Sequence, residues 1–342
     1  MAPNLVTTIG LGLTTASYLL LYLSVPGMVS GSSTPSWVFP ASAAGLFLYQ
    51  TLDNMDGKQA RRTGSSSPLG LLFDHGCDAI NCCFGVAFVS CILDAGGSLP
   101  LLAATTINQL VPFFFTTWEH YYTDELILPV VNGPSEGVVL GAVCACLRGV
   151  YGPELLSSPR EALNGWALGE FLMACSLVGV ALTVLKQFVL VARLRRAAKR
   201  GMLIPMKDSF WFVALLAAGG GWAYMRPELF LAAPYMMVLL FGLVHVDMVV
   251  HVMVCHICNM VCRPFRPILI PFFLVVGNSF LPVLPGVGGP LVDEKALVWG
   301  FTVLSVIYEG LYLYLVVSET SQALDIFVFK LGKRSDAAKK AA

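Results

Sequence analysis

Charged side chains are scarce in this sequence: Asp, Glu, Lys and Arg make up only 12% of its 342 residues. A soluble domain carries about 25% charged residues, and a soluble chain of this length could not hide so much apolar surface. The charges present balance at 21 basic and 21 acidic residues. This balance argues against a nucleic-acid partner, because a general nucleic-acid binder has a basic excess on one face. Membrane lipids are therefore the expected surroundings.

The sequence also lacks the pattern of a cleavable signal peptide. Its first apolar run, 5–25, is too long and has no basic leader. A secreted disulfide framework is not expected either, because most of the ten cysteines lie inside apolar runs, where free buried thiols are typical. Those cysteines are Cys82, Cys83, Cys91, Cys144, Cys146 and Cys175.

Long apolar runs dominate what remains. A helix needs about 20 apolar residues to cross a hydrocarbon layer about 30 Å thick. On this basis the sequence predicts an all-α, polytopic membrane protein with about ten transmembrane helices, forming a single domain over 1–320 with a tail over 321–342. The predicted spans are 5–25, 37–52, 70–93, 98–118, 134–150, 165–192, 208–224, 229–256, 267–283 and 296–317, and the helix of the second span is expected to continue into the charged segment that follows it.

The basic residues orient these spans. If both termini are cytosolic, seventeen of the 21 basic residues lie in cytosolic loops and tails, which satisfies the positive-inside rule. Arg148, Arg160, Arg226 and Lys295 fall on the other side. The orientation makes 321–342 a cytosolic tail, and its Lys339 and Lys340 resemble a dilysine signal for retrieval to the endoplasmic reticulum.

Two helical stripes of small and charged residues stand out where the second span ends and the third begins. The first stripe follows the second span and comprises Asp53, Asp56, Gly57, Ala60 and Arg61. The second comprises Gly70, Asp74 and Asp78, in a helix for which Ser67 is a suitable N-cap and Pro68 a suitable first residue. Because a short loop joins the two helices, the stripes can face each other, and four carboxylates then meet near the membrane surface.

Four carboxylates at a membrane surface indicate a cation site. An ionised Asp costs about 2.5–3.5 kcal/mol at the centre of a membrane helix, and mutual repulsion adds to this cost unless a metal ion neutralises it. Oxygen ligands suit Mg²⁺, Mn²⁺ or Ca²⁺ rather than zinc. Gly57 and Ala60 permit close approach of a ligand, and Arg61 can bind a phosphate. The stripes therefore predict a diphosphate site, whereas an ordinary polar loop would explain one or two Asp residues but not four.

The spacing Asp53-x2-Asp56-Gly57-x2-Ala60-Arg61-x8-Gly70-x3-Asp74-x3-Asp78 resembles the full signature of the CDP-alcohol phosphatidyltransferase family. Segments 3–7, 118–123 and 133–137 resemble its eukaryotic choline and ethanolamine phosphotransferase branch. The likeness extends over nearly the whole chain. It implies the CDP-alcohol phosphotransferase fold, with the domain over 1–320 as the catalytic domain.

The resemblance also implies a reaction: phosphocholine or phosphoethanolamine passes from CDP-choline or CDP-ethanolamine to diacylglycerol, which yields phosphatidylcholine or phosphatidylethanolamine and CMP. One or two ions of Mg²⁺ or Mn²⁺ would be held by Asp53, Asp56, Asp74 and Asp78. The CDP moiety would be bordered by Asn54, Gly57, Ala60, Arg61 and Gly70. Chemistry of this kind implies the endoplasmic reticulum membrane, with the Golgi as the alternative, and the sequence leaves a homodimer open.

Two residues are candidates for the base that removes the proton of the lipid hydroxyl. Asp78 is the base usually suggested for the wider family, whereas His75 has an ordinary pKa near neutrality and is the sharper candidate in this branch. Helix packing is the alternative role for His75. Glu136 is predicted to orient His75 or share its proton, with charge compensation at a helix N-terminus as the alternative.

Other functions agree less well with the sequence. The same chemistry with another headgroup, such as inositol or glycerol phosphate, fits the signature but not the segments typical of the branch. A cation-binding transporter would show paired repeats and broken helices at the midplane, and an inactive scaffold would have lost some of the Asp residues. Neither description fits the sequence.

A second group of polar residues lies near the eighth span. Cys255, Cys258 and Cys262 with His256 resemble a metal knuckle that has no second half, so packing thiols are the favoured interpretation. His245, Asp247 and His251 lie within the same span. Ionisable groups inside a membrane are functional candidates, and these three are predicted to line a lipid cavity.

Overall fold

The computed structural model describes residues 1–124, 136–283 and 289–335. In these ranges the chain forms ten long helices and no β-strand, apart from isolated bridges at Pro159–Ala167 and Ile326–Lys333. The long helices are α1 Pro3–Ser24, α2 Val38–Thr63, α3 Pro68–Ile92, α4 Leu99–Thr123, α5 Val138–Tyr151, α6 Leu168–Ala197, α7 Leu203–Met225, α8 Pro234–Ile257, α9 Leu269–Phe280 and α10 Glu294–Ala323. Short α-helices span Glu154–Ser157 and Pro227–Ala232, and 3₁₀ turns span Pro26–Met28, Ala95–Gly97, Glu161–Leu163 and Leu281–Val283.

Each predicted span coincides with one long helix, and the all-α membrane class is confirmed. Six of the ten helices are long and apolar enough to cross a membrane, namely α1, α3, α4, α6, α8 and α10. The apolar helices α5 and α9 are shorter. Helix α2 continues eleven residues past 52 to Thr63 and carries the first Asp stripe with it, as the predicted continuation into the charged segment requires. The last helix likewise reaches Ala323 rather than ending near 317.

Helix α8 is the centre of the bundle. It is apolar around its whole circumference and is the most buried of the membrane-spanning helices, as expected for a helix surrounded by others. It packs against α3, α4 and α10. By contrast, α6 exposes most of its apolar residues, which fits a helix whose outer surface faces lipid. The position of α3 against this centre fixes the second Asp stripe.

The α2–α3 hairpin is shaped by its turn chemistry. Helix α2 ends at Gly64, which adopts a left-handed conformation with φ of 62° that glycine accommodates without strain. The Ser67 hydroxyl accepts a hydrogen bond from the Gly70 amide at 3.1 Å, so Ser67 is the N-cap of α3 as predicted, with Pro68 as the first helical residue. Both α2 and α3 pack on α1 more than on each other, and the main partner of α3 is the central helix α8.

A buried ion pair lies at the end of α3 opposite to the Asp stripe. Arg148 of α5 is almost fully buried, donates to the Asp94 carboxylate at 2.7 Å and to the Ile92 carbonyl at 2.6 Å, and also reaches the Ser30 hydroxyl at 2.6 Å. A buried arginine needs such partners because an unpaired buried charge is strongly unfavourable. Arg148 therefore ties α5 to the end of α3 and to the segment after α1.

Close packing between α8 and α3 generates a stability prediction. A Cβ atom at Gly242 would lie 2.3 Å from the Cys83 sulfur and 2.8 Å from its Cβ. We expect Gly242→Ala to destabilise the fold by about 1–3 kcal/mol, since the two helices must separate to admit the methyl group. The measurement is the melting temperature of the detergent-solubilised protein. In the control Gly220→Ala the methyl group meets nothing within 4 Å, and equal melting temperatures for the two variants would contradict the close contact.

Candidate active site

The two Asp stripes face each other across the α2–α3 hairpin. Carboxylate oxygens of Asp53, Asp56 and Asp74 all lie within 4.8 Å of one another. The carboxyl group of Asp78, one turn further along α3, interacts with Asp53 and Asp74. The structure thus brings together the four carboxylates that the spacing predicted, in a single cluster.

Two hydroxyl groups hold the cluster from outside the signature. The Thr7 hydroxyl of α1 donates to Asp56 Oδ2 at 2.5 Å, and the Tyr49 hydroxyl of α2 donates to Asp78 Oδ1. Thr7, Tyr49 and Asp56 are buried, so these hydrogen bonds are shielded from water and orient the carboxylates firmly. The sequence analysis did not assign roles to either hydroxyl. The sequence features that point to them are the position of Thr7 in the segment 3–7 and the position of Tyr49 one helical turn before Asp53.

The charge of the cluster fits a divalent cation. Within the described ranges, the basic side chain that lies within ion-pair distance of one of these carboxylates is His75, whose Nδ1 atom is 3.8 Å from Asp74 Oδ2. Several carboxylates without a balancing cation repel one another strongly in a poorly solvated site. Oxygens in one Mg²⁺ shell lie about 3–4 Å apart, given metal–oxygen distances near 2.1 Å. The observed spacing therefore suits Mg²⁺ or Mn²⁺ after a small inward movement.

The predicted substrate residues surround the outer side of the cluster. The Arg61 guanidinium lies beside Gly57, 3.6 Å from where a Cβ atom would be, and it is exposed. Ala60 and Gly70 are half-buried, whereas Asn54 is exposed and donates to the Gln50 carbonyl at 2.7 Å. Thus Arg61 is free to swing toward an anion that enters beside the small residues, while the role of Asn54 stays a prediction.

His75 lies on α3 between two of the carboxylates and is buried. Its Nδ1 atom is 3.8 Å from Asp74 Oδ2 and makes no hydrogen bond with any residue that the structure describes. Its ring is 5.7 Å from that of His120, which in turn is 4.5 Å from that of His256. His75 therefore offers an uncommitted ring nitrogen next to the carboxylates. The row of imidazoles was missed by the sequence analysis, although His120 belongs to the segment 118–123.

Glu136 is the residue predicted to orient His75 or share its proton. Glu136 is exposed and lies immediately before α5, so its role in orienting His75 stays a prediction. Residues 133–135 of the same segment lie outside the described ranges, as do Lys339 and Lys340.

The last turn of α4 fixes the surroundings of the imidazole row. Trp118 Nε1 donates to the Pro205 carbonyl at 3.1 Å, and the Tyr122 hydroxyl donates to Asp208. The Tyr121 hydroxyl donates to the Met260 carbonyl at 2.9 Å and accepts from the Cys262 amide at 3.2 Å. This turn, with His120 facing His75, is thereby bound to the start of α7 and to the segment after α8.

Comparisons with known proteins agree with this geometry. The sequence profile of the CDP-alcohol phosphatidyltransferase family matches residues 1–127, which include both Asp stripes. The protein named choline/ethanolaminephosphotransferase 1 from Arabidopsis thaliana is 33% identical, over 98% of this chain and 88% of its own length. This chain belongs to the CDP-alcohol phosphatidyltransferase family. A likeness of that extent means that the family relationship includes the helices beyond the signature.

Two further relatives each match part of this CDP-alcohol phosphatidyltransferase family member. Choline/ethanolaminephosphotransferase 1 from Saccharomyces cerevisiae is 36% identical, over 46% of this chain and 39% of its own length. Cholinephosphotransferase 1 from Danio rerio is 42% identical, over 39% of this chain and 34% of its own length. Family membership and the Asp cluster together identify the cluster as the candidate active site.

The hydrogen bond from Thr7 to Asp56 yields a prediction about metal affinity. Thr7→Val keeps the shape of the side chain but removes a bond to a charged group, which contributes about 1.5–3 kcal/mol. We expect the Mg²⁺ concentration for half-maximal activity to rise about tenfold, since 1.4 kcal/mol corresponds to a factor of ten. Thr8→Val is the matched control, because the Thr8 hydroxyl donates to the Asn4 carbonyl of its own helix. Identical Mg²⁺ curves for the two variants would remove Thr7 from the site.

Proposed function

We propose that this chain transfers phosphocholine or phosphoethanolamine from CDP-choline or CDP-ethanolamine to the free hydroxyl of diacylglycerol. The products are phosphatidylcholine or phosphatidylethanolamine and CMP. The observation that carries the proposal is the convergence of the Asp53, Asp56 and Asp74 oxygens within 4.8 Å. Choline or ethanolamine as the headgroup is supported by the names of the relatives.

Asp53, Asp56, Asp74 and Asp78 would hold two Mg²⁺ or Mn²⁺ ions against the diphosphate of the CDP-alcohol. When bound, the metal supplies charge neutralisation for the phosphate oxygens and for the CMP that leaves. Thr7 and Tyr49 keep the carboxylates oriented before the substrate arrives, so that little reorganisation remains for the transfer step. A metal-binding role suits Asp78 better than that of a base, because Tyr49 already donates to it and it faces two other carboxylates.

The CDP moiety would lie beside Gly57 and Ala60, where the absence of bulk lets its phosphates approach the α2 backbone. Gly70 and Asn54 border the same space. Arg61, exposed next to Gly57, would turn toward a phosphate and bind it with two parallel N–H groups.

His75 is the proposed base. Its Nδ1 atom makes no hydrogen bond with any described residue and lies 3.8 Å from the Asp74 carboxylate, so a hydroxyl placed beside Asp74 would be within reach of this nitrogen. In this arrangement His75 takes the proton of the diacylglycerol hydroxyl as its oxygen attacks phosphorus. Glu136 would orient His75 or share its proton.

We place the active site on the cytosolic side of the endoplasmic reticulum membrane, where both termini would also lie. The basic residues support this orientation, because most of them fall in loops on the side of the α2–α3 hairpin. Lys339 and Lys340 support the compartment through their likeness to a retrieval signal, as does the synthesis of diacylglycerol in that membrane.

The reaction predicts a metal-dependent headgroup transfer that can be measured in membranes. With diacylglycerol and Mg²⁺ present, labelled CDP-choline or CDP-ethanolamine should yield labelled phospholipid. EDTA should abolish the product, and Mg²⁺ or Mn²⁺ should restore it. Asp53→Asn should be inactive at every metal concentration, because it removes a metal ligand. Full turnover after rigorous chelation, or transfer only with inositol or glycerol phosphate as acceptor, would refute the proposal.

The two candidates for the base are separated by a second experiment. His75→Ala should lower kcat about 10²–10⁴-fold with little change in the KM for CDP-alcohol, because a base acts in the transition state. Asp78→Asn should instead raise the Mg²⁺ requirement. The measurement is a pair of titrations, of CDP-alcohol and of Mg²⁺, for each variant. Near-normal kcat in His75→Ala would exclude His75 as the base.

A further inference from the structure

Three soft ligand groups converge where α8 ends, away from the Asp cluster. His251 and Cys255 lie one turn apart on α8, and Cys262 returns to them from the segment that follows. One ring nitrogen and the two sulfurs all lie within 4.8 Å of one another. Cys255 and Cys262 belong to a small buried cluster with Val252 and Tyr121, separate from the main core. The other two members of the knuckle-like sequence pattern lie apart from this cluster, since Cys258 is exposed and His256 lies against His120.

The convergence is built by the backbone. The Tyr121 hydroxyl of α4 binds the segment after α8 on both sides of Val261. It donates a hydrogen bond to the Met260 carbonyl and accepts one from the Cys262 amide. The Met260 amide in turn donates to the Cys255 carbonyl at 2.8 Å. These bonds fold the segment back over α8, so the approach of Cys262 to Cys255 does not depend on the side chains alone.

Polar contacts with Arg266 determine which ring nitrogen of His251 carries the proton. Arg266 donates to both oxygens of Asp247, at 2.6 and 2.8 Å, and its third contact is His251 Nδ1 at 3.1 Å. An arginine has only donors, so Nδ1 must accept and the imidazole proton sits on Nε2. This N–H faces the Cys255 sulfur at 3.6 Å. Asp247 and His251 are both engaged with Arg266, and the lining of a lipid cavity by these residues and His245 stays a prediction.

This arrangement favours an anion on sulfur and opposes a cation. A metal ion on His251 would need a lone pair on Nε2, but the tautomer set by Arg266 places a proton there. The guanidinium also repels a second cation nearby. A thiolate at Cys255, by contrast, accepts a hydrogen bond from His251 and lies next to the thiol of Cys262, and such donors stabilise thiolates at reactive cysteines.

We propose that Cys255 and Cys262 form a redox-active dithiol, in which Cys255 is the attacking thiolate and Cys262 the resolving thiol. The oxidant class is a small peroxide, because both sulfurs are buried and only a short segment, 258–261, covers them with exposed residues. The pair is a modification site outside the residues that bind CDP-alcohol.

The chemistry balances with hydrogen peroxide as oxidant. The Cys255 sulfur attacks one peroxide oxygen, an S–O bond forms, the O–O bond breaks, and the hydroxide released takes up the proton that Cys255 lost. The Cys262 sulfur then attacks the Cys255 sulfenic acid, so that the S–S bond forms and the S–O bond breaks. The second hydroxide takes the proton of Cys262, and two thiols and one peroxide have become one disulfide and two waters.

Differential alkylation of the full-length protein in nanodiscs tests the proposal. The protein is exposed briefly to dilute hydrogen peroxide and unfolded in denaturant, where free thiols are blocked with light N-ethylmaleimide before disulfides are reduced and labelled with the heavy reagent. Fragment spectra should place the heavy label on Cys255 and Cys262 and the light label on Cys258, an exposed internal control three residues from Cys255. Cys258→Ser should leave the heavy labelling of the pair unchanged.

The role of His251 is tested by the rate of this oxidation. His251→Gln should slow heavy labelling of Cys255 roughly tenfold, because the thiolate loses its ring donor. His256→Gln is the matched control, since that ring lies against His120. The proposal would be overturned if Cys255 and Cys262 stayed light while Cys258 oxidised. It would also be overturned if the purified protein held a stoichiometric zinc ion that Cys255→Ser removed.

Discussion

Repulsion among carboxylates at the edge of a membrane is the constraint that the rest of the site serves. Asp53, Asp56, Asp74 and Asp78 face one another across two helices, in surroundings that solvate charge poorly. Without a cation the hairpin would tend to open. A bound metal therefore does more than bind the substrate, since its positive charge is what makes a closed hairpin favourable. Binding and closure are coupled through this electrostatic balance.

The surrounding helices meet that constraint by packing on the sides of α2 and α3 that face away from the Asp cluster. Both α2 and α3 pack on α1 more than on each other, which leaves the space between them for ligand. Thr7 reaches from α1 to Asp56, and the central helix α8 supports α3 through the close contact at Gly242. The two Asp-bearing helices are thus supported by packing on their outer sides, which leaves the space between them open to the ligand.

The sequence predicted what depends on local periodicity. The helices, the Ser67 cap and the shared faces of the Asp stripes all follow from residues a few positions apart, and the structure reproduces them. Contacts between distant residues could not be predicted in this way. Thr7 and Asp56 are 49 positions apart, and Arg148 and Asp94 are 54. Arg266 was counted only as a topology charge, because nothing in its neighbourhood indicates that the chain turns back to place it against Asp247.

The last turn of α4 has a consequence for how such a chain can vary over evolution. Trp118, His120, Tyr121 and Tyr122 occupy neighbouring positions yet contact different parts of the protein. One inserted or deleted residue would rotate everything beyond it by about 100° around the helix axis. All of these contacts would be lost in one step, whereas a point substitution loses one. Homologous chains should therefore tolerate exchanges of individual side chains in this turn and accept changes of length only beyond it.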